Sequence, residues 1–341
     1  MSVVIGWDIG GVHLKAARAG HGRVVEAVQV PSPLRFGLAK LADAFAQAKA
    51  AIGTAPHHVV TMTAELADTF TSRQDGVAQL AAIAAQQLDG DIKIYAGRAG
   101  FVAPSEAVDH VLDIASANWH ASASLIARLR DAALLIDLGS TTTDVIPIAQ
   151  GRIVARGYTD AERLATGELI YAGLVRGFVM ATAGWAPFAG QWTTLINENF
   201  ANMADVYRVL GTLPEGADQM ATADGREKSF AASCARLARM VGRDAADASE
   251  AQWHALAAWF AEAQIRSIVD GAMLVLSHTA LGPTAPVVGA GIGTAVVEEV
   301  TRRLGRSYTK FADLIDAVPQ VRERAAQCGP AAALAALASQ A

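Results

Sequence analysis

Two aspartates with the same surroundings open the chemical reading of this 341-residue chain. Asp8 ends a short apolar run and is followed by Ile9, Gly10 and Gly11, with Lys15 seven residues beyond it. Asp137 ends a second apolar run and leads into Leu138, Gly139, Ser140, Thr141, Thr142, Thr143 and Asp144. Glycines let backbone N–H groups approach phosphate oxygens closely, and hydroxyls with N–H groups in one turn form an anion nest. A carboxylate at a strand end can hold Mg²⁺ or its waters, and Lys15 offers a point charge to the same phosphates. The first pattern is equally a hairpin turn with an exposed aspartate. Asp144 reads better as a turn cap, and Thr142 and Thr143 are also good strand residues. A third run, Gly289 to Gly293, follows a strand and opens a helix whose N-terminus adds positive potential. The expected phosphate-binding set is Gly10, Gly11, Gly139, Ser140, Thr141, Thr142, Gly289, Gly291 and Gly293, with Asp8 and Asp137 as metal ligands.

Other chemistry carries less weight. The eight histidines show no zinc spacing, and His13, beside the first glycine turn, reads as packing. No nucleophilic serine or cysteine elbow is present. Arg226, Lys228, Arg236 and Arg239 cluster in one polar stretch. Such a run is usually a solvated helix face. Its sharper reading is a grip for a substrate carboxylate, which arginine binds bidentately.

The elements that must position these residues repeat. Val3 to Trp7, Val12 to Ala19 and Val24 to Val30 read as three strands joined by tight turns. Helical spacing follows over Phe36 to Ala51. Strands at His57 to Met62 and Ile92 to Tyr95 alternate with helices at Val77 to Leu88 and Ser116 to Leu129. The same order begins again with strands Ala132 to Ile136, Thr142 to Ile148 and Ile153 to Arg156, and a helix over Gly167 to Arg176. A polar, helical insertion, 185–244, interrupts this second module. A long helix (Gln252 to Leu276), a strand at Val287-Val288, a helix to Leu304 and an alanine-rich helix, Pro330 to Ser339, complete it. The fold class is α/β, with one domain at 1–128 and another at 129–341 facing each other across a cleft, and the last helix packing back on the first domain.

Composition bounds the reading. The chain is 52% hydrophobic and 18% charged, ample for a large core. Its formal net charge of −5 argues against phosphate-neutralising nucleic-acid binding. Two distant cysteines, Cys234 and Cys328, exclude a disulfide scaffold. No basic leader and no apolar run of membrane-spanning length is visible, so a cytoplasmic protein without membrane partners is expected, and a homo-oligomer is compatible with this. Arginine (22) far exceeds lysine (6), a usage suggesting a GC-rich bacterial source.

The three glycine motifs, in this order on a duplicated module, resemble the actin-like (ribonuclease H-like) superfamily of sugar kinases, heat-shock chaperones and actins. A narrower resemblance rests on Gly6 to Gly11 with Lys15, Ser116-Ala117-Asn118-Trp119, Thr166 to Tyr171, Asn197 to Arg208 and Thr222 to Phe230. These runs are similar to the hydantoinase/oxoprolinase-related proteins of the tetrahydromethanopterin-linked one-carbon pathway. The stretch Val175-Arg176-Gly177-Phe178 departs from the family, where a more basic, proline-containing segment is expected. The resemblance implies an alkyl transferase that couples an aminomethyl-furanmethanol diphosphate to the phenol of a glutamyl-tyramine, or a tyrosine-type acceptor, and releases pyrophosphate. On that reading Mg²⁺, Asp8, Asp137 and Lys15 neutralise the leaving group, Glu168 takes the phenolic proton, and Arg226, Lys228 and Arg236 hold the acceptor. The alternative is an ATP-dependent kinase or hydantoinase-like ATPase using the same turns. A non-enzymatic chaperone or filament protein lacks support, because no peptide-binding domain follows the second module.

Overall fold

The computed structural model describes residues 3–340. The first unit builds a sheet from β1 (Val4–Ile9), β2 (His13–Gly20), β3 (Arg23–Pro31), β4 (His57–Met62), β5 (Asp91–Tyr95) and β6 (Phe101–Val102), in the order β3-β2-β1-β4-β5-β6. The second supplies β7 (Ala132–Leu138), β8 (Thr143–Ala149), β9 (Arg152–Ile153), β10 (Leu169–Ile170), the separate hairpin β11 (Trp185–Phe188) and β12 (Gln191–Thr194), then β13 (Val287–Gly291) and β14 (Tyr308–Lys310). Its sheet runs β10-β8-β7-β13-β14, with β9 also paired to β8. In both sheets an antiparallel meander leads to a central strand that then takes two parallel neighbours. The duplication expected from the motifs is therefore a duplication of topology.

β1 is buried along its whole length, as a central strand covered on both faces must be, which explains its unbroken apolar run. One covering layer is the terminal helix Gly329–Ser339, which packs on β1, β2 and β4. Gly6 makes that contact: a Cβ there would lie 2.1 Å from the carbonyl oxygen of Ala331. The alanines opposite, including Ala331, Ala332, Ala335 and Ala336, are all buried. The helix Asn118–Leu129 packs on this terminal helix and on β7, β8 and β9 of the other sheet. One apolar cluster thus includes Ala17 and Val24 from the first sheet, Trp119 and Ala123 from the crossing helix, Leu135 and Ile146 from the second sheet, and Ala331 to Ala333. The two units share a core.

The outer side of the second sheet is covered by the long helix Glu250–His278 and by the insertion. That insertion is less helical than its composition suggests. It starts with the β11–β12 hairpin and continues through the helices Met203–Val209 and Phe230–Met240.

The expected helix over Gly167 to Arg176 is not formed. A helix occupies Asp160–Thr166 instead, with Thr159 and Glu162 forming a capping box and Gly167, at φ 76°, closing its C-terminus. The segment that follows is irregular and hydrogen-bonds to the second glycine turn. The third meander strand of this unit shrinks to two residues, Arg152–Ile153. No helix among the described residues is long and apolar enough to cross a membrane.

Candidate functional site

The meander hairpins bring the two aspartates to one place. Asp8 pairs with Lys15 across β1 and β2, and Asp137 pairs with Asp144 across β7 and β8, each at the same seven-residue spacing. Equivalent turn bonds close the hairpins, from Gly10 N–H to the His13 carbonyl at 3.0 Å and from Gly139 N–H to the Thr142 carbonyl at 2.9 Å. Both turns open into a cleft of about 580 Å³. Its lining includes Asp8, Gly10, Gly11, Lys15, Asp137, Gly139, Ser140, Thr141, Thr142 and Gly291. The carbonyls of Gly139 and Ser140 accept from the N–H groups of Leu174, Val175 and Arg176. The N–H groups of Ser140 and Thr141 find no acceptor among the described residues, which leaves them available to an anion.

Lys15 Nζ stands 3.6 Å from Asp8 Oδ2. Burial raises the proton affinity of the Asp8 carboxyl against the pull of Lys15. Asp137 is pushed up to about 7, first by burial, then by the neighbouring Asp144 charge, with Lys15 opposing and Asp8 adding to the rise. Burial alone would weaken the Lys15 ammonium, but Asp8 in particular reverses this and raises it. Asp8 Oδ1 is buried and has no hydrogen-bond partner among the described residues. Two crowded carboxylates, with Asp8 Oδ1 unpartnered among the described residues and Lys15 beside Asp8, fit Mg²⁺, which takes one or two carboxylates and completes its shell with substrate phosphate and water. No cluster of three or more His, Cys, Asp or Glu suited to a metal exists among the described residues, so the protein alone makes no closed cage.

Several expected residues lie elsewhere. Gly289 is inside β13, where a Cβ would lie 2.5 Å from the Tyr308 ring. Gly293 packs on the Leu138 side chain, 1.7 Å from where its Cβ would be. Both glycines serve packing, and the third motif presents only Gly291 and Ile292 to the cleft. Gly291, at φ 81°, lets the chain pass beside Asp137: a Cβ there would fall 2.5 Å from Asp137 Oδ1.

Glu168 is fully buried and outside the cleft lining. Its oxygens accept from Arg156 N–H (2.7 Å), Gly157 N–H (2.8 Å) and Thr166 Oγ1 (2.9 Å), so it ties a loop together and faces no substrate. Arg236 is also fully buried, donating through Nε to Asp205 (2.8 Å) and through Nη1 to Asp224 (3.1 Å). Lys228 is spent on the Asp218 carbonyl at 2.7 Å. Neither these two nor Arg226 and Arg239 line the cleft; of the insertion, only Ala217 and Met220 do.

Other residues take their place. Arg35 and Arg176 line the cleft, are exposed, and form no ion pair among the described residues. Burial and the facing Arg35 charge lower the Arg176 pKa, the mark of two uncompensated cations near one another. His13 joins the lining with Nε2 unpartnered, and burial followed by Lys15 lowers its pKa to about 4, so it is a neutral imidazole. Farther along, Asp144 accepts from Arg163 Nη2 at 2.6 Å, and Arg163 stacks over Trp119 at 4.3 Å. Asp160 accepts from Arg73 (3.2 Å) and from Ser116 Oγ (3.1 Å), and Ser116 Oγ lies 2.9 Å from Glu65 Oε1. Asn118 and Tyr171 complete this end.

Two topologically repeated units whose hairpin turns face one another over a polar cleft define the actin-like class. A nucleotide-free acetone carboxylase structure superposes on 98% of this chain and 70% of its own with a TM-score of 0.56 at 13% identity, a likeness of fold alone. The family model described as hydantoinase/oxoprolinase matches residues 57–311, and the chain belongs to that family. A Methanocaldococcus jannaschii protein named (4-{4-[2-(gamma-L-glutamylamino)ethyl]phenoxymethyl}furan-2-yl)methanamine synthase is 33% identical over 186 residues, covering 54% of this chain and 56% of that protein. A Methanococcus vannielii protein of the same name is 28% identical over 174 residues, 51% of this chain and 77% of its own. The chain therefore spans little more than half the length of the first of these relatives.

Proposed function

We propose that this protein is a transferase that joins a furfuryl-type diphosphate to a phenolic acceptor and releases pyrophosphate, in the biosynthesis of a methanofuran-type cofactor. The observation that carries the reading is the cleft's asymmetry. One end gathers Lys15 and the open turn N–H groups that suit phosphate, whereas Gly289 and Gly293 of the third motif pack on Tyr308 and Leu138 and only Gly291 and Ile292 of that motif reach the cleft. The two relatives are named for a product containing a phenoxymethyl-furan ether, which agrees with this division.

In this mechanism the open N–H groups of Ser140 and Thr141, the hydroxyls of that turn and Lys15 bind the diphosphate and stabilise the charge that grows on it as the C–O bond breaks. Mg²⁺ bound at Asp8 and Asp137 would further neutralise the leaving oxygens. The furan ring stabilises positive charge at the exocyclic carbon, and the phenolic oxygen attacks there. Arg35 and Arg176 hold the anionic parts of the substrates at the cleft rim. The protein is read as working on small molecules in the cytoplasm.

The test incubates the protein and Mg²⁺ with aminomethyl-furanmethanol diphosphate and either glutamyl-tyramine or tyrosine, and measures pyrophosphate and the aryl ether by mass spectrometry. Ether and pyrophosphate in equal amounts are expected. Micromolar ATP binding by calorimetry, with steady hydrolysis and no ether, would overturn the reading in favour of a kinase or ATPase.

A further inference from the structure

We propose that Ser116 and Glu65 form the proton exit of the transfer reaction: Ser116 Oγ takes the proton of the acceptor's phenol while passing its own to Glu65. This rests on the transferase reading and names the groups at its acceptor end.

The geometry is that of a short relay. Ser116 has one hydroxyl proton but sits within hydrogen-bond distance of two carboxylates, Glu65 Oε1 at 2.9 Å and Asp160 Oδ2 at 3.1 Å. The two carboxylates are not equivalent. Asp160 is paired with Arg73 at 3.2 Å. Glu65 is 1% exposed and, among the described residues, forms no ion pair and leaves Oε2 without a hydrogen-bond partner. A carboxylate paired with a guanidinium is a poorer proton sink than a buried carboxylate without an ion-pair partner. Glu65 is pushed up to about 7, chiefly by burial, with Ser116 and Arg73 opposing and Asp160 adding. That matches the task of accepting a proton near neutral pH.

Ser116 is also held in an unusual backbone state, at φ 54°. A non-glycine residue in the left-handed region stores strain, and such residues gather at functional sites. Glu65 is fixed in turn by the helix Arg73–Gln87, whose Gly76 presses so closely that a Cβ would lie 2.5 Å from the Glu65 carbonyl oxygen. Ser116, Asp160 and Tyr171 line the same cleft as the phosphate turns. The wall between them runs from Asp137 through its strand partner Asp144 and Arg163. The charge balance closes: the phenolic O–H bond breaks, the ether C–O bond forms, the diphosphate leaves with the electron pair of its C–O bond, and Glu65 ends protonated.

The test uses Ser116→Gly and Glu65→Gln in the full chain. Glycine suits φ 54°, so Ser116→Gly removes the hydroxyl without adding backbone strain. Both variants should bind the diphosphate like the wild type by calorimetry and lose about 10²-fold or more in kcat for ether formation. The wild-type kcat should fall below pH 7 as Glu65 protonates in the field of Asp160, Arg73 and Tyr171, and this limb should vanish in Glu65→Gln. A fluorinated, more acidic phenol should restore much of the loss in both variants. Wild-type activity with unaffected variants, or a deficit indifferent to phenol acidity, would overturn the relay alone. Absence of ether formation by the wild type would overturn the transferase reading and the relay with it.

Discussion

Replacing Arg236 by alanine separates two roles that its sequence position leaves open. The guanidinium is fully buried and bridges Asp205, itself 1% exposed, to Asp224 and the Glu227 carbonyl. It therefore docks the segment after Asn202 against the segment after Thr222. Removing one partner of a buried ion pair costs about 3–5 kcal/mol. Asp205 would keep Ser233 at 2.9 Å and Arg208 at 3.2 Å, so the low end, about 3 kcal/mol, is expected. Asp224 is more exposed and adds little, because water replaces the lost partner. At about 2–4 °C per kcal/mol for a large domain, the melting temperature should drop by about 6–12 °C. Differential scanning calorimetry reads this directly, while the Michaelis constant for the phenolic acceptor, measured well below the transition, should not change. Unaltered melting with a raised Michaelis constant would refute the structural role and restore the substrate grip suggested by the arginine cluster.

Asp8→Asn should keep the fold and lower kcat for diphosphate consumption by about 10²–10³-fold, since it removes charge control at the leaving group; full activity would remove Asp8 from the mechanism. Stripping divalent cations with a chelator should abolish turnover, and Mg²⁺ should restore it; activity unaffected by chelation would exclude the metal role of Asp8 and Asp137. Glu65 has a folded-state pKa raised from 4.5 to about 7, so the folded state binds the extra proton between those values. Stability should consequently fall as pH rises from about 4.5 to 7, and Glu65→Gln should melt higher than the wild type at pH 8 and close to it at pH 4. Gly6→Ala should drive the terminal helix off β1 and strongly reduce folded yield, because the obstructing Ala331 oxygen is backbone and cannot rotate away; normal yield and melting would contradict the packing.

Much of the fold was legible because its signals are local. Continuous apolar runs ending in aspartate and glycine mark the central strands and their turns, and their recurrence marks the duplication. The helix at Asp160–Thr166 was missed, with one expected over Gly167 to Arg176 instead, although Thr159 with Glu162 three residues on, and Gly167 at the end, are start and stop signals. Glycine spacing, by contrast, says only that something comes close. At Gly291 it is the site aspartate, and at Gly289 and Gly293 it is a neighbouring side chain. Charge type likewise does not report burial. Arg236 and Glu168 are spent inside the protein, whereas Arg35, Arg176, His13 and Glu65 reach or back the cleft from four separate segments that only tertiary folding brings together.

The repeat also explains why one cleft has two unlike ends. Lys15 and Asp144 occupy equivalent places, each paired across its hairpin with the site aspartate of its own unit. In the first unit that place is a lysine that stays beside Asp8. In the second it is an aspartate that turns to Arg163, which Trp119 supports from the crossing helix. That crossing helix follows directly on Ser116, whose hydroxyl links Glu65 and Asp160. A single change from lysine to aspartate at one duplicated position therefore distinguishes the lysine end of the cleft from the carboxylate-lined end. Asp144→Asn, which keeps an acceptor for the buried Arg163, should make the carboxylate-lined end less hostile to anions and weaken discrimination between the diphosphate and its pyrophosphate product. Product inhibition constants, measured for the wild type and this variant, decide it: a stronger inhibition by pyrophosphate is expected, and an unchanged constant would mean that the asymmetry at this position does not sort the ligands.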